Sequence, residues 1–398
     1  MSELDTFRQE TRTWLAENCP PGARGPGEIH TGSTKIRFQP DTQLWMERMA
    51  ARGWTVPTWP REYGGGGLSP DQARVLFEEM AAIGARAPLV NMGTRMLGPT
   101  LLEYGTEEQK QRHLTLIAQG GAAWCQGYSE PGAGSDLAGL RTRAEDKGDY
   151  FQINGQKTWT SGAQYADWMF CLVRTDPDAP KHNGISFMLL PMDQAGVTVK
   201  PISLISGSSP FCETFLDDAI AEKQDLVGKL NEGWTVGKRL LQHERSGQGG
   251  LGASAARTRP VGVTIDLDLE EVGRQYLGTR EGRIAEPALR DEVVRWKMDS
   301  AAFRLTQKRA GEQARDGRTP AETTSVFKLY GSTLSRDRQE ITAKLMGTQG
   351  YGWEGDSFTE DELGAARSWL ASKAVTIYGG TNEVQANIIA KRVLGLPD

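Results

Sequence analysis

Apolar positions change their period twice along the chain. Leu4, Phe7, Trp14 and Leu15 recur at helical spacing, and Pro20-Pro21 closes that segment. A second helix is predicted around Gln43–Arg52, before the loop GWTVPTWPREYGGGG. Ser69-Pro70 reads as an N-cap followed by proline at the first helical position, with Leu76, Phe77 and Met80 as the apolar face. Thr106 to Gln109 fits a capping box ahead of Leu114, Leu116 and Ile117. Residues 1–121 therefore predict a helical domain. From Ala122 the period shortens, and the runs YFQI, QKTW, WMFCLV, ISFMLL, VTVKPI and FCETF alternate with turns. Asn154-Gly155 between the first two runs predicts a hairpin. These short strands predict a small antiparallel β domain over 122–229. Helical spacing returns at Trp234, so 230–398 predicts a C-terminal helical bundle. Three separate blocks describe an α+β multidomain chain, not the strand–helix alternation of a doubly wound α/β fold.

Composition narrows the possibilities. With 398 residues, 38% of them hydrophobic, the chain can build a sizeable core. A net charge of -5 is too mild to suggest nucleic acid or an anionic membrane as partner. Cys19, Cys125, Cys171 and Cys212 are spaced too widely for a disulfide framework or a metal pattern. They read as reduced thiols of a cytoplasmic protein. The start MSELDTFRQE lacks the apolar run of a signal peptide, and no stretch approaches the ~18 apolar residues of a membrane span. His30, His113 and His182 lie in stretches that read as polar and suggest no metal site.

The densest chemistry lies between Trp124 and Trp168. Tyr128-Ser129-Glu130-Pro131-Gly132-Ala133-Gly134-Ser135-Asp136 is a glycine-rich loop, and Trp159 and Ser161 follow soon after. Small residues let backbone N–H groups approach a polar ligand, and an indole offers a flat face to a flat ring. Together they suit a cofactor that is both phosphorylated and aromatic. Taken singly, Ser129 and Ser135 could equally cap turns, and Trp159 could be core. Gly247-Gln248-Gly249-Gly250-Leu251-Gly252 matches G-x-G-x-x-G, but it follows a helical segment and lacks a βαβ unit, so it reads as a helix break.

The strings YSEPGAGSD, KTWTSGAQYADW, LVGKLNEGW and IYGGTNEVQANIIAKRVLGLP, in this order, resemble those of acyl-CoA dehydrogenases. The resemblance runs over nearly the whole chain and implies an N-terminal helical domain, a middle β domain and a C-terminal helical bundle. It implies bound FAD, with Gln126, Gly127, Tyr128 and Ser129 lining the isoalloxazine. Gly134 and Ser135 would lie near the pyrophosphate and the CoA arm, Trp159 over the ring, and Ser161 towards N5. It also implies that Lys344, Met346 and Gly347 contact a neighbouring subunit's adenosine. Thr381, Asn382 and Glu383 would contact the same cofactor.

The implied reaction removes an α-proton beside a thioester carbonyl while a β-hydride leaves for the flavin. It needs a base and donors for the carbonyl oxygen. Many family members carry a glutamate just before the Gly-Thr of the C-terminal motif, where this chain has Gly379. A second family arrangement puts the base in a Glu-Arg pair on the first long helix of the third domain. Glu244-Arg245 supplies that pair, so Glu244 is the candidate catalytic base. Arg245, Ser135, Gly379 and Gly380 would contact substrate. His243 reads as a packing residue. The family's Arg-x-x-Phe-Gly is missing, and Arg274 or Arg280 could replace its arginine. The implied partners are an acyl-CoA substrate, an electron-transfer flavoprotein as acceptor, and further copies of the chain in a homodimer or homotetramer. Two rivals remain. One is a catalytically incomplete subunit of a mixed oligomer. The other is an oxygen-using acyl-CoA oxidase or flavin hydroxylase.

Overall fold

Reciprocal caps open the helices of the N-terminal part. Ser69 Oγ accepts the Gln72 N–H at 3.2 Å, while Gln72 Oε1 accepts the Ser69 N–H at 2.9 Å. Thr106 and Gln109 repeat the arrangement at 3.3 and 3.1 Å. Each such box satisfies two donors that a helix start leaves orphaned. A computed structural model describes residues 2–249, 267–315 and 323–397; at 244–249 and 314–315 it describes only the backbone. The chain forms two compact units, Met1–Ile202 with Phe211–Arg257, and Ser203–Pro210 with Thr258–Asp398.

In the first unit, the helices Glu3–Asn18, Pro40–Ala51 and Pro70–Ala82 close over Leu15, Trp45, Met49, Leu76 and Met80. Fully burying a side chain of this kind contributes roughly 2 kcal/mol. The sheet that follows contains β1 (Trp124–Gly127), β2 (Arg143–Asp146), β3 (Tyr150–Ser161) and β4 (Trp168–Arg174). It continues with β5 (Ile185–Pro191), β6 (Val197–Ile202), β7 (Phe211–Glu222) and β8 (Leu226–Val227). The strand order is β6-β7-β3-β2-β4-β5-β8, with β1 beside β4. Pairing is antiparallel except where β4 meets β1 and the start of β2. The helix Gly233–Gly249 packs on β5 and buries Val236 and Leu240 with Leu172 and Phe187.

Two expectations are corrected here. Asn154-Gly155 makes no hairpin turn; both residues lie inside the continuous strand β3. Pairing with β7 along twelve residues outweighs the local turn preference, and the dipeptide is absorbed as a bulge between Ile153 and Gly155. Gly155 has φ 154°, and a Cβ there would meet Thr142 Oγ1 at 2.5 Å, so a side chain has no room. His30 and His113 are buried, not polar surface residues. His113 lies edge-on to Trp124 and Trp168, with ring centroids at 5.3 and 5.1 Å.

The second unit is a helical bundle of Leu269–Leu277, Pro287–Arg315, Thr323–Met346, Glu360–Ser372 and Asn382–Ile388. Its core gathers Leu269, Val272, Ile341, Leu345, Met346 and Ala365. A short hairpin, β9 (Thr279–Arg280) with β10 (Arg283–Ile284), follows the first of these helices. Among the described residues, no helix is long and apolar enough to cross a membrane.

Candidate functional site

Strand β1 delivers the glycine-rich loop, and Tyr128 anchors its root. The Tyr128 ring is buried, edge-on to Phe170 and Phe187 at 6.1 and 6.4 Å. The Tyr128 side chain therefore packs in the core. Gln126, Ser129 and Ser161 are half-buried. Glu130 and Ala133 exchange backbone hydrogen bonds at 3.0 Å, which folds the loop tightly. Pro131, Gly132, Gly134, Ser135 and Asp136 are left exposed. Lys181 Nζ donates to Asp136 Oδ2 at 2.5 Å and ties down the far end.

Trp159 is the most unusual residue of this surface. Its φ is 60°, a region that a bulky L-residue rarely visits, and it sits in a register break between Lys157 and Thr160. Thr160 turns inward, its hydroxyl bonded to Cys212 O and Thr214 Oγ1 at 2.8 Å. The indole is 55% exposed, braced edge-on by Phe211 at 6.0 Å. Thr158 N–H donates to Ser129 O at 2.9 Å, so Trp159 stands next to the loop.

Below this surface lies a pair to which sequence reasoning gave no role. Lys157 is fully buried and donates to Glu130 Oε1 at 2.8 Å, Leu172 O at 2.8 Å and Tyr128 O at 3.2 Å. Glu130 also accepts the N–H groups of Arg141 and Thr142 at 2.7 and 2.9 Å. Burial pushes the Glu130 carboxyl up, but the Lys157 ammonium and the N–H donors outweigh it and hold it below the usual carboxylate range.

The helix Gly233–Gly249 carries Glu244 and Arg245 in its backbone; their side chains lie outside the described residues. One turn earlier, Arg239 makes two bonds to Glu103 at 2.7 Å, and His243 Nε2 stands 3.2 Å from Glu103 Oε1. Burial first, then Arg239, lowers the His243 pKa, in keeping with a packing residue. Gly247 to Gly249 continue the helix, and the rest of the G-x-G-x-x-G string lies outside the described residues.

In the second unit, Lys344 pairs with Glu292 at 3.0 Å, and Met346 is buried, so its side chain serves the core. Gly347 follows at φ 57°. Thr381 caps its helix by accepting the Val384 N–H at 3.2 Å, and Glu383 is exposed beside it. Asn382 accepts from Ser332 at 3.1 Å. Ser332 and Lys344 are about 18 Å apart along one helix axis at 1.5 Å per residue. The two predicted cofactor segments thus lie towards different points along that helix. Gly379 and Gly380, at φ 67° and 95°, can offer a substrate only main-chain groups. Arg274 is engaged with Glu270 at 2.7 Å, while Arg280 is exposed on the β9–β10 hairpin.

Family models match along the chain in order. "Acyl-CoA dehydrogenase, N-terminal domain" covers residues 1–121, "Acyl-CoA dehydrogenase, middle domain" 125–219, and "Acyl-CoA dehydrogenase, C-terminal domain" 231–394. The chain belongs to the acyl-CoA dehydrogenase family. It is 38% identical to acyl-CoA dehydrogenase IpdE1 of Mycolicibacterium smegmatis, over 100% of this chain and 99% of that one. A solved structure described as "Tcur3481-Tcur3483 steroid ACAD" has 30% identity and a TM-score of 0.76, over 99% of this chain and 97% of that one. The ChsE4-ChsE5 complex from Mycobacterium tuberculosis has 29% identity and a TM-score of 0.72, over 100% and 98%. The members of this family are FAD-binding flavoproteins and enzymes. The surface fits that cofactor. An exposed indole is flanked by two half-buried serines, and nothing lies within 4 Å of a Cβ placed on Gly132 or Gly134, which leaves the loop open to a phosphorylated arm.

Proposed function

We propose that the protein oxidises an acyl-CoA thioester to its 2,3-enoyl-CoA. The observation that carries this reading is the exposed, positive-φ Trp159, two residues before Ser161 and next to Thr158, which bonds to Ser129 at the root of an open glycine loop, in a chain of this family. FAD, when bound, supplies the acceptor for the β-hydride. Trp159 would pack against its flat ring, and the Ser161 hydroxyl, Gln126 and Ser129 would hydrogen-bond to its polar edge atoms. Gly134 and Ser135 would hold the pyrophosphate and the CoA arm with main-chain N–H and hydroxyl groups. Glu244 takes the α-proton and Arg245 sets the charge beside it. Gly379 has no side chain and cannot act as the base.

The substrate class we favour is a bulky, ring-bearing acyl-CoA. Support comes from the solved neighbour described as a steroid ACAD, at 30% identity over almost the full length. An electron-transfer flavoprotein is the acceptor in this reading. The test is anaerobic reduction of the purified yellow protein by straight-chain, branched and steroid-derived acyl-CoAs. Bleaching of the flavin band, fastest with the ring-bearing thioesters, is expected. A flavin-loaded protein reduced by none of them overturns the reading.

A second reading is a catalytically incomplete subunit of a mixed oligomer. Two observations favour it: Gly379 replaces the motif glutamate, and two solved neighbours are described by paired chain names. A folded but colourless protein when produced alone, turning yellow only with a second chain, would establish it.

A further inference from the structure

Lys157 and Glu130 form a buried ion pair under the surface that carries Ser129 and Trp159. Replacing such a pair with apolar groups of similar shape is often neutral or even stabilising, so stability alone does not account for it. Its connections are more informative. The three ammonium donors of Lys157 go to three separate places: the loop root at Tyr128 O, the loop turn at Glu130, and strand β4 at Leu172 O. A tetrahedral ammonium has three N–H groups, and each has an acceptor. Glu130 in turn holds the chain that leaves the loop, through the N–H groups of Arg141 and Thr142. Four segments meet at one pair of side chains.

The consequence appears two residues on. β3 loses register with β7 between Lys157 and Thr160, and within that break Thr158 bonds to Ser129 O while Trp159 takes a positive φ. A conformation of this kind is strained and persists only when its surroundings over-determine it. The Lys157 anchor and the Thr158–Ser129 bond lie on the N-terminal side, and the inward Thr160 hydroxyl lies on the other.

We propose that Glu130 and Lys157 are positioning residues of the flavin site, holding the Ser129 loop and Trp159 in one fixed relation before the cofactor arrives. This rests on the flavin surface described above. Neither side chain touches the cofactor; both act through Ser129 and Trp159. Preorganisation of this kind spares a ligand the cost of ordering its own site.

The test is the double variant Glu130→Gln/Lys157→Met, which removes both charges, keeps the volumes, and leaves one side-chain acceptor where the carboxylate offered two, one each to Arg141 and Thr142. It is compared with Lys157→Arg, which keeps the charge but replaces three tetrahedral donors by a planar fork. The readouts are apoprotein melting, FAD affinity by fluorescence titration, and the visible circular dichroism of bound flavin. Both variants are expected to fold, to bind FAD about tenfold more weakly, and to give an altered visible dichroism. If the double variant does not fold, Lys157→Arg carries the same two flavin readouts. Wild-type affinity and dichroism in either folded variant overturn the proposal and leave the pair a purely structural one. None of these readouts uses a thioester. A wild-type protein inert to every acyl-CoA would therefore sink the catalytic reading alone, and unchanged flavin signals would sink the positioning role alone.

Discussion

Thr158 donates its backbone N–H to Ser129 O at 2.9 Å, which joins the strand bearing Trp159 to the loop bearing Ser129. The two segments are some thirty residues apart in sequence, yet one main-chain bond makes them neighbours on a single surface. That bond uses main-chain atoms alone and so does not involve either side chain. Substitutions there therefore probe what the side chains do for a ligand, with the backbone frame kept.

Trp159→Gly separates strain from binding. A non-glycine residue in left-handed backbone costs about 1–2 kcal/mol, which glycine relieves. The indole is already 55% exposed, so little burial is lost. The apoprotein is expected to melt about 2–4 °C higher, while FAD affinity falls about tenfold. Differential scanning fluorimetry and flavin titration check the two signs. A variant that melts lower and binds FAD normally would contradict both.

Gly379 is expected to resist any side chain. Its φ of 67° makes a Cβ cost about 1–2 kcal/mol. Gly379→Ala should lower the melting temperature by about 2–4 °C, read by calorimetry. An unchanged or raised melting temperature would show that the loop relaxes without strain.

Acid sensitivity is expected to trace in part to His113. Burial, then the neighbouring Arg112, lowers its pKa to about 3. Arg112 donates to His113 Nε2 at 3.1 Å, and Asp225 lies 3.5 Å from the same nitrogen. A depressed histidine pKa means that the unfolded chain takes up the proton first. The stability this neutral ring provides is therefore full above the unfolded value near 6.5 and is lost as pH falls from there towards 3. Between pH 6.5 and 5 the loss is about 2 kcal/mol. Denaturant melts of the wild type and His113→Phe across this range should show a shallower pH slope in the variant. Parallel slopes would assign the sensitivity to other groups.

The block order of the fold was legible because helix starts announce themselves locally. Thr106 forms the very box that its spacing suggests, and Ser69 caps its helix as expected and adds the reciprocal bond from Gln72. Asn154-Gly155 was misleading for the opposite reason, since its strand pairing depends on β7, more than fifty residues away. Trp159 and the serines stood out in the sequence as candidates for ligand chemistry, but the φ of Trp159 did not, because no local motif encodes it. Lys157 and Glu130 were hidden by their charge. A lysine suggests surface, and only the folded chain shows that loop carbonyls and a carboxylate enclose it. Buried His113 was misread on the same logic, its neighbours Arg112 and Lys110 suggesting solvent.

The base assignment is tested most directly by Glu244→Gln in the FAD-loaded protein. The acyl-CoA that reduces the wild type fastest is mixed anaerobically with the variant, and the flavin band is followed by stopped flow. The thioester should still bind and shift the visible spectrum, while bleaching slows by about a thousandfold. Bleaching at close to the wild-type rate would contradict Glu244 as the group that takes the α-proton.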